Sequence, residues 1–187
     1  GTMPEILTES FCERCGTRYT FGEPPKAPRL SKLKVFTRGL KGYVMSDAQI
    51  LARGQEAVDA GCTEMHIVGG LHHLMKYNWY VGILRLLHEA YHDLYWKRWT
   101  AVEINWFAHL TKKSYREILT DMVEAGLGSM PGGGAEVFHP EVRHKICEHK
   151  ADATHWIDIH RTAHQLGLKT NATMLYGHLE NSYHRMD

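Results

Sequence analysis

From residue 43 onward the apolar positions of the chain switch repeatedly between helical and strand spacing. Ser46-Asp47-Ala48-Gln49 is a capping-box signal, and Ile50, Leu51, Ala57 and Val58 follow at helical spacing until Gly61, predicting a helix. Cys62–Val68 is a short apolar run ending at Gly69-Gly70 and predicts a buried strand. A second helix is predicted over Asn78–Tyr91, with Leu84 and Leu87 on its apolar face, and Trp99–Ile104 reads as the next strand. Ser114-Tyr-Arg-Glu117 is another capping box, opening a helix that stops at Gly126. Leu127–Met130 predicts a short strand before the loop Pro131–Gly134. Pro140 and Glu141 suit the first turn of a helix reaching Cys147. A longer helix over Asp152–Leu166 ends at Gly167 and leads into a final strand, Leu168–Leu175.

Strands alternating with helices at roughly 35-residue intervals predict an α/β fold with a parallel sheet. A complete eight-fold barrel takes about 250 residues, whereas residues 43–187 supply four strands, or five with one before Ser46. The expectation is a partial (β/α) TIM-type barrel of four to five βα units. Such a sheet has two raw edges, which predict a homo-oligomer. Residues 1–42 read differently. Cys12-Glu-Arg-Cys15, the proline-rich Glu23–Pro28 and a basic stretch from Arg29 to Lys41 predict an N-terminal arm and linker ahead of the 43–187 domain.

Composition narrows the partners. With 22 Lys+Arg against 21 Asp+Glu, nothing draws the chain to nucleic acid or to an anionic membrane. No apolar run is long enough to cross a bilayer, and the N-terminus lacks a signal-peptide pattern. Scattered cysteines without a secretory signal read as cytoplasmic and reduced. A small-molecule partner is expected.

In parallel α/β folds ligands sit at the C-terminal ends of the strands, and the distinctive residues fall there: His66–His72, Thr100–Ile104, Pro131–Glu136 and Thr170–His178. Around them run the longer stretches HIVGGLH, TAVEINWFAHLT, EAGLGSMPGGGAEVF, EVRHKICEHKAD and HRTAHQLGLKTNATMLYGH. Taken together these stretches resemble the aminofutalosine synthase family of radical S-adenosylmethionine (SAM) enzymes, across nearly all of residues 43–187. The resemblance implies SAM and a [4Fe–4S] cluster as cofactors. It further implies transfer of a SAM-derived 5′-deoxyadenosyl radical to 3-[(1-carboxyvinyl)oxy]benzoate, giving aminofutalosine for menaquinone biosynthesis. Gly69 and Gly70 match a glycine pair that receives the methionyl amino group of SAM, and Glu103 a carboxylate placed for SAM polar groups. The loop Gly132–Glu136 (with Gly133, Gly134 and Glu136), Arg143, Asn171 and Thr173 line the substrate side. His66, His72 and His178 are the catalytic candidates.

The residues are chemically compatible with such ligands. Glycines admit close backbone approach and anion-binding N–H nests, and a dicarboxylate calls for donors such as Arg143 and His178. Other readings stand beside these. Glu103 also suits a structural ion pair, and Arg143 a surface pair with Glu141 or Glu148. His160 and His164 lie four apart on a helix whose apolar stripe is Trp156, Ile159, Ala163 and Leu166, which favours a structural role.

The family's cluster loop, CxxxCxxC, is missing from the chain. Cys12 and Cys15 reproduce only its CxxC half. Cys62 begins a strand and lies about 20 Å from the far end of it, while Cys147 ends a returning helix. The Cys12/Cys15 pair therefore reads as half of a zinc site, as unliganded thiols, or as a remnant of cluster binding. The alternative function is a catalytically incompetent truncated or chimeric barrel scaffold that self-associates and binds zinc through this CxxC.

Overall fold

The computed structural model of the chain describes residues 9–12, 17–20, 44–72 and 74–186. These fall into two compact units, Gly1–Ser46 with Gly69–His73, and Asp47–Val68 with Leu74–Asp187. In the smaller unit β1 (Glu9–Cys12) pairs antiparallel with β2 (Thr17–Thr20), Glu9 opposite Thr20 and Cys12 opposite Thr17. Cys15 and a fifth barrel strand before Ser46 lie outside the described residues, apart from the irregular 44–46.

The larger unit runs α1 (Asp47–Asp59), β3 (Glu64–Ile67), α2 (Tyr77–Ala90), β4 (Tyr95–Arg98), α3 (Ala101–Thr111), α4 (Tyr115–Glu124), β5 (Ser129–Met130), α5 (Pro140–Cys147), α6 (Ala153–Gln165) and β6 (Lys169–Thr170). The four strands form one parallel sheet in the order β3-β4-β5-β6. Glu64 pairs with Tyr95, Lys97 with Ser129, and Ser129 with Lys169. This is the α/β βα-repeat that the sequence predicts, open among the described residues. No described helix is long and apolar enough to cross a membrane.

The core lies where helices cover the sheet. Leu84 and Leu87 of α2, Trp96 of β4, Ile104 and Phe107 of α3, Ile118, Leu119 and Met122 of α4, and Ile159 of α6 are almost fully buried. Tyr80 and Phe107 are 4.8 Å apart between ring centroids, and Tyr80 meets Trp99 edge-on at 5.4 Å. Aromatic pairs in these geometries add about 1 kcal/mol each beyond area burial. On α1 the mid-helix Gly54 is buried because the ring of Tyr91 lies across it; a Cβ there would stand 2.3 Å from Tyr91 Cε2. Tyr91 fixes the contact by donating its hydroxyl to the Leu51 carbonyl at 2.7 Å.

Helix ends follow local chemistry. Ser114 N–H and Oγ both reach Glu117 Oε2, at 2.8 and 2.7 Å, and Asp152 Oδ1 accepts from the His155 amide at 2.9 Å. Pro140 occupies the first turn of α5. Gly126 adopts φ +105 beyond α4, a conformation that Cβ-bearing residues avoid.

Three predicted elements differ. Trp99–Ile104 is not a strand: β4 ends at Arg98 and α3 begins at Ala101. Thr100 N–H and Oγ1 both bond Glu103 Oε2, at 2.6 and 2.9 Å, so a Thr-x-x-Glu capping box overrides the β-branched Val102 and Ile104. Second, β3 is shorter than Cys62–Val68 and is not fully buried, since Glu64 and His66 are exposed and Met65 and Ile67 partly covered. Its alternation is that of an edge strand. Third, β6 spans Lys169–Thr170 and not Leu168–Leu175. Its partner β5 has only two residues, so the ladder stops there.

Candidate functional site

Three loops leave the C-terminal ends of β4, β5 and β6 and meet in the larger unit. The loop Pro131–Glu136 after β5 is the hub. Gly132 packs so close to the exit of β6 that a Cβ would lie 2.1 Å from the Asn171 carbonyl oxygen and 2.6 Å from Ala172 Cα. Thr173 Oγ1 donates to the Gly132 carbonyl at 2.8 Å, joining the two loops a second time. Gly133 lies against the Thr100 methyl, at 3.2 Å for a built Cβ, and Gly134, at φ +85, against Val102. The glycine run thus lets the loop seat against both neighbours.

The loop's carbonyls are taken in order. Trp156 Nε1 donates to Gly133 O at 3.3 Å. Arg143 Nη2 donates to Gly134 O at 2.8 Å and to Ala151 O, and Nη1 to Ala135 O at 2.5 Å. Glu136, at φ +50, holds Lys150 at 2.8 Å. Arg143 is only 5% exposed. The surface-pair reading of Arg143 with Glu141 or Glu148 is corrected accordingly. Its guanidinium turns inward because a planar fork of donors matches converging carbonyls, and those bonds satisfy a charge that burial would otherwise penalise.

At the end of β4, Glu103 is 6% exposed and caps α3 through Oε2, as described. Arg98 beside it is buried, its guanidinium carbon 3.7 Å from the Trp99 ring centroid. Burial lowers its pKa to about 10, opposed by the Glu103 carboxylate. Arg98 Nε and Nη1 are buried without hydrogen-bond partners among the described residues, and Trp99 takes φ +61. This cation was missed from sequence. The available signal was a basic residue in register with buried Trp96 on the same strand face.

The loop after β6 is looser. Asn171–Leu179 is exposed and irregular, with a turn organised by Glu180. That carboxylate accepts from the amides of Gly177 (2.5 Å) and His178 (3.1 Å), from His178 Nδ1 at 2.8 Å, and from Arg185. These donors, the Gly177 amide first, hold its pKa far below the ordinary carboxylate value. His178 thus has one ring nitrogen committed to Glu180.

On β3, His66 faces outward, opposite Lys97 in register. Partial burial, then the Lys97 charge, lower its pKa, so it is neutral at neutral pH. Gly69, Gly70 and His72 follow β3 in sequence and fall in the smaller unit. Of the predicted residues, the larger unit brings together Gly133, Gly134, Glu136, Arg143, Asn171 and Thr173, with Glu103 in the adjoining loop that Gly133 and Gly134 touch.

The two helical histidines are structural. His160 stacks on Trp156 at 3.7 Å and 23°, and burial, followed by His164, lowers its pKa to about 4. His164 Nε2 lies 2.8 Å from Thr170 Oγ1. Among the described cysteines Cys62 is exposed before β3, whereas Cys147 is buried and its thiol pKa raised by that burial. Cys12 closes β1 and Cys15 is outside the described residues, so the zinc reading gains no support.

The Radical SAM superfamily matches residues 10–186. The chain is 45% identical over 139 residues to an aminodeoxyfutalosine synthase from Thermus thermophilus, covering 74% of this chain and 37% of that protein. It is 43% identical over 143 residues to the aminodeoxyfutalosine synthase of Streptomyces coelicolor, covering 76% and 36%. It is 37% identical over 139 residues to a 5-amino-6-(D-ribitylamino)uracil–L-tyrosine 4-hydroxyphenyl transferase of Methanopyrus kandleri, covering 74% and 38%. The chain spans just over a third of the length of these curated relatives. With a match over nearly its full length and a parallel sheet gathering loops at the strand ends, the chain belongs to the radical SAM superfamily.

Proposed function

We propose that this chain supplies the ligand-facing wall of an aminofutalosine synthase-type enzyme, which adds a SAM-derived 5′-deoxyadenosyl radical to 3-[(1-carboxyvinyl)oxy]benzoate. The supporting observation is the seating of the Gly132–Glu136 loop against both Asn171–Thr173 and Thr100–Val102. In this reading Asn171, Thr173 and the Gly133–Gly134 backbone face the substrate. Arg143 positions that backbone from behind, and Glu103 fixes the start of α3 beside it. His66, neutral at neutral pH, and His178, oriented by Glu180, are the groups able to hold or pass a proton at a ring nitrogen.

Radical SAM enzymes use SAM and a [4Fe–4S] cluster. The described thiols do not fit that cluster. Three thiolates must converge, whereas Cys62 lies ahead of β3, remote from the strand ends, and Cys147 is a buried, protonated thiol. This placement favours a second reading, a wall that binds ligands without generating a radical. Anaerobic iron and sulfide reconstitution, followed by SAM and substrate binding and assay for 5′-deoxyadenosine, tests both. Iron with deoxyadenosine formation supports the enzyme; ligand binding with only trace iron supports the bare wall. Binding of neither SAM nor the benzoate substrate overturns both.

A further inference from the structure

Outside the loops described so far, three metal-ligating side chains meet. His139, Glu141 and His184 each offer a ligand atom, and the three atoms all lie within 4.8 Å of one another. We propose that these residues form a site for a divalent borderline cation, Zn²⁺ being the best fit.

Each residue is placed by its local structure. His139 is the residue before Pro140, and proline restricts it to extended backbone; it sits at φ −51, ψ 124. Glu141 follows in the first turn of α5, where the helix N-terminus favours a carboxylate. His184 is held by a reciprocal pair with Asn181: its amide donates to Asn181 Oδ1 at 3.1 Å, and its Nδ1 accepts from the Asn181 amide at 3.3 Å. Because Nδ1 accepts in that bond, the ring proton sits on Nε2, and His184 ligates by exchanging the long Asn181 contact at Nδ1 for the ion. The His139 and His184 rings lie 4.2 Å apart between centroids.

A second observation points the same way. His139 Nδ1 is buried and has no hydrogen-bond partner among the described residues. A half-buried imidazole with an orphaned nitrogen, touching a second imidazole and a carboxylate, is left short of one partner. Neutral imidazoles and one carboxylate are a ligand set that zinc takes, with the fourth tetrahedral position open to water or a substrate oxygen. Tetrahedral coordination at zinc distances places ligand atoms about 3.3 Å apart, so closure around the ion asks for shifts of an ångström or so, the exposed Glu141 moving most freely and the half-buried His139 and His184 less. Both ligand segments follow C-terminal strand ends, His139 and Glu141 after β5 and His184 after β6. The ion would therefore tie the well-anchored loop to the loose one. The site shares no residue with the CxxC and does not depend on the cluster.

Cobalt(II) is the probe, because its visible absorption reports coordination number and ligand type. The full 187-residue chain carrying Cys12→Ser and Cys15→Ser is dialysed free of metal and titrated. The expected result is one cobalt per chain with the intense visible bands of a low-coordinate nitrogen–oxygen site. His184→Ala should weaken that binding about a hundredfold, and the exposed Glu141→Gln about tenfold. Circular dichroism checks that both variants stay folded. Binding that survives both substitutions would mark adventitious capture by other histidines and overturn the proposal. So would a spectrum seen with the wild-type chain and lost in the Cys12→Ser/Cys15→Ser chain, which would move the metal to the CxxC.

Discussion

The loop after β5 and the loop after β6 are neighbours at the same end of the sheet, yet they are built in opposite ways. Gly133, Gly134 and Ala135 give their carbonyls to buried donors on α5 and α6, Arg143 and Trp156. The β6 loop exposes Met174, Leu175, Tyr176 and Leu179, each more than half accessible, and is organised by one carboxylate, Glu180. The difference teaches that rigidity here comes from helices reaching back to the loop, and not from the strand that precedes it. β5 and β6 are equally short.

The strongest way to break the contrast is to separate the two loops. Gly132→Val drives a side chain into the Asn171 carbonyl and should cost about 3–5 kcal/mol or prevent folding; urea unfolding measures it. Arg143→Met comes next. It leaves buried carbonyls of residues 134, 135 and 151 without donors, for an expected loss of about 3 kcal/mol. Arg143→Lys should recover less than half of that, since a single ammonium cannot span the same carbonyls.

The pH dependence sharpens the comparison through Trp156, whose indole is stacked on His160. Because the folded pKa of His160 is depressed to about 4 from 6.5, the unfolded chain binds more protons in between. The stabilisation is complete above pH 6.5 and is lost as pH falls toward 4, by at most about 3 kcal/mol. His160→Phe should flatten that segment of the stability–pH curve. Thr173→Val, removing one neutral hydrogen bond between the loops, should cost about 1 kcal/mol. The smallest effect belongs to Glu180→Gln. Global unfolding should be unchanged while amide exchange at Gly177 and His178 accelerates several-fold, because only the β6 turn depends on that carboxylate.

Helix boundaries were legible because their signals are local. Ser114-x-x-Glu117, Asp152, Pro140 and Gly126 each act within one turn of chain. The sequence also marked out the glycine loop and, through the resemblance, Asn171 and Thr173; that the two segments touch comes from the fold. The start of α3 was misread although its Thr100-x-x-Glu103 signature was present, because Val102 and Ile104 favour strands when considered alone. Arg143 was not readable as an anchor: its burial depends on carbonyls from Gly134 to Ala151 that only the folded loop brings together. Arg98 was overlooked although its register with Trp96 on β4 was readable, because a strand residue's burial depends on the helices that later cover that face. Nor could the sequence show that β6 stops after two residues, since strand length is set by the partner strand.

The contact between Gly54 and Tyr91 has a consequence for how this chain can change over generations. Alanine at position 54 favours a helix by about 1 kcal/mol relative to glycine, but it collides with the ring that lies across it. The same exchange becomes favourable once residue 91 is small. Each position therefore decides which residues are acceptable at the other, and a lineage can reach the better helix former only by surrendering the tyrosine first.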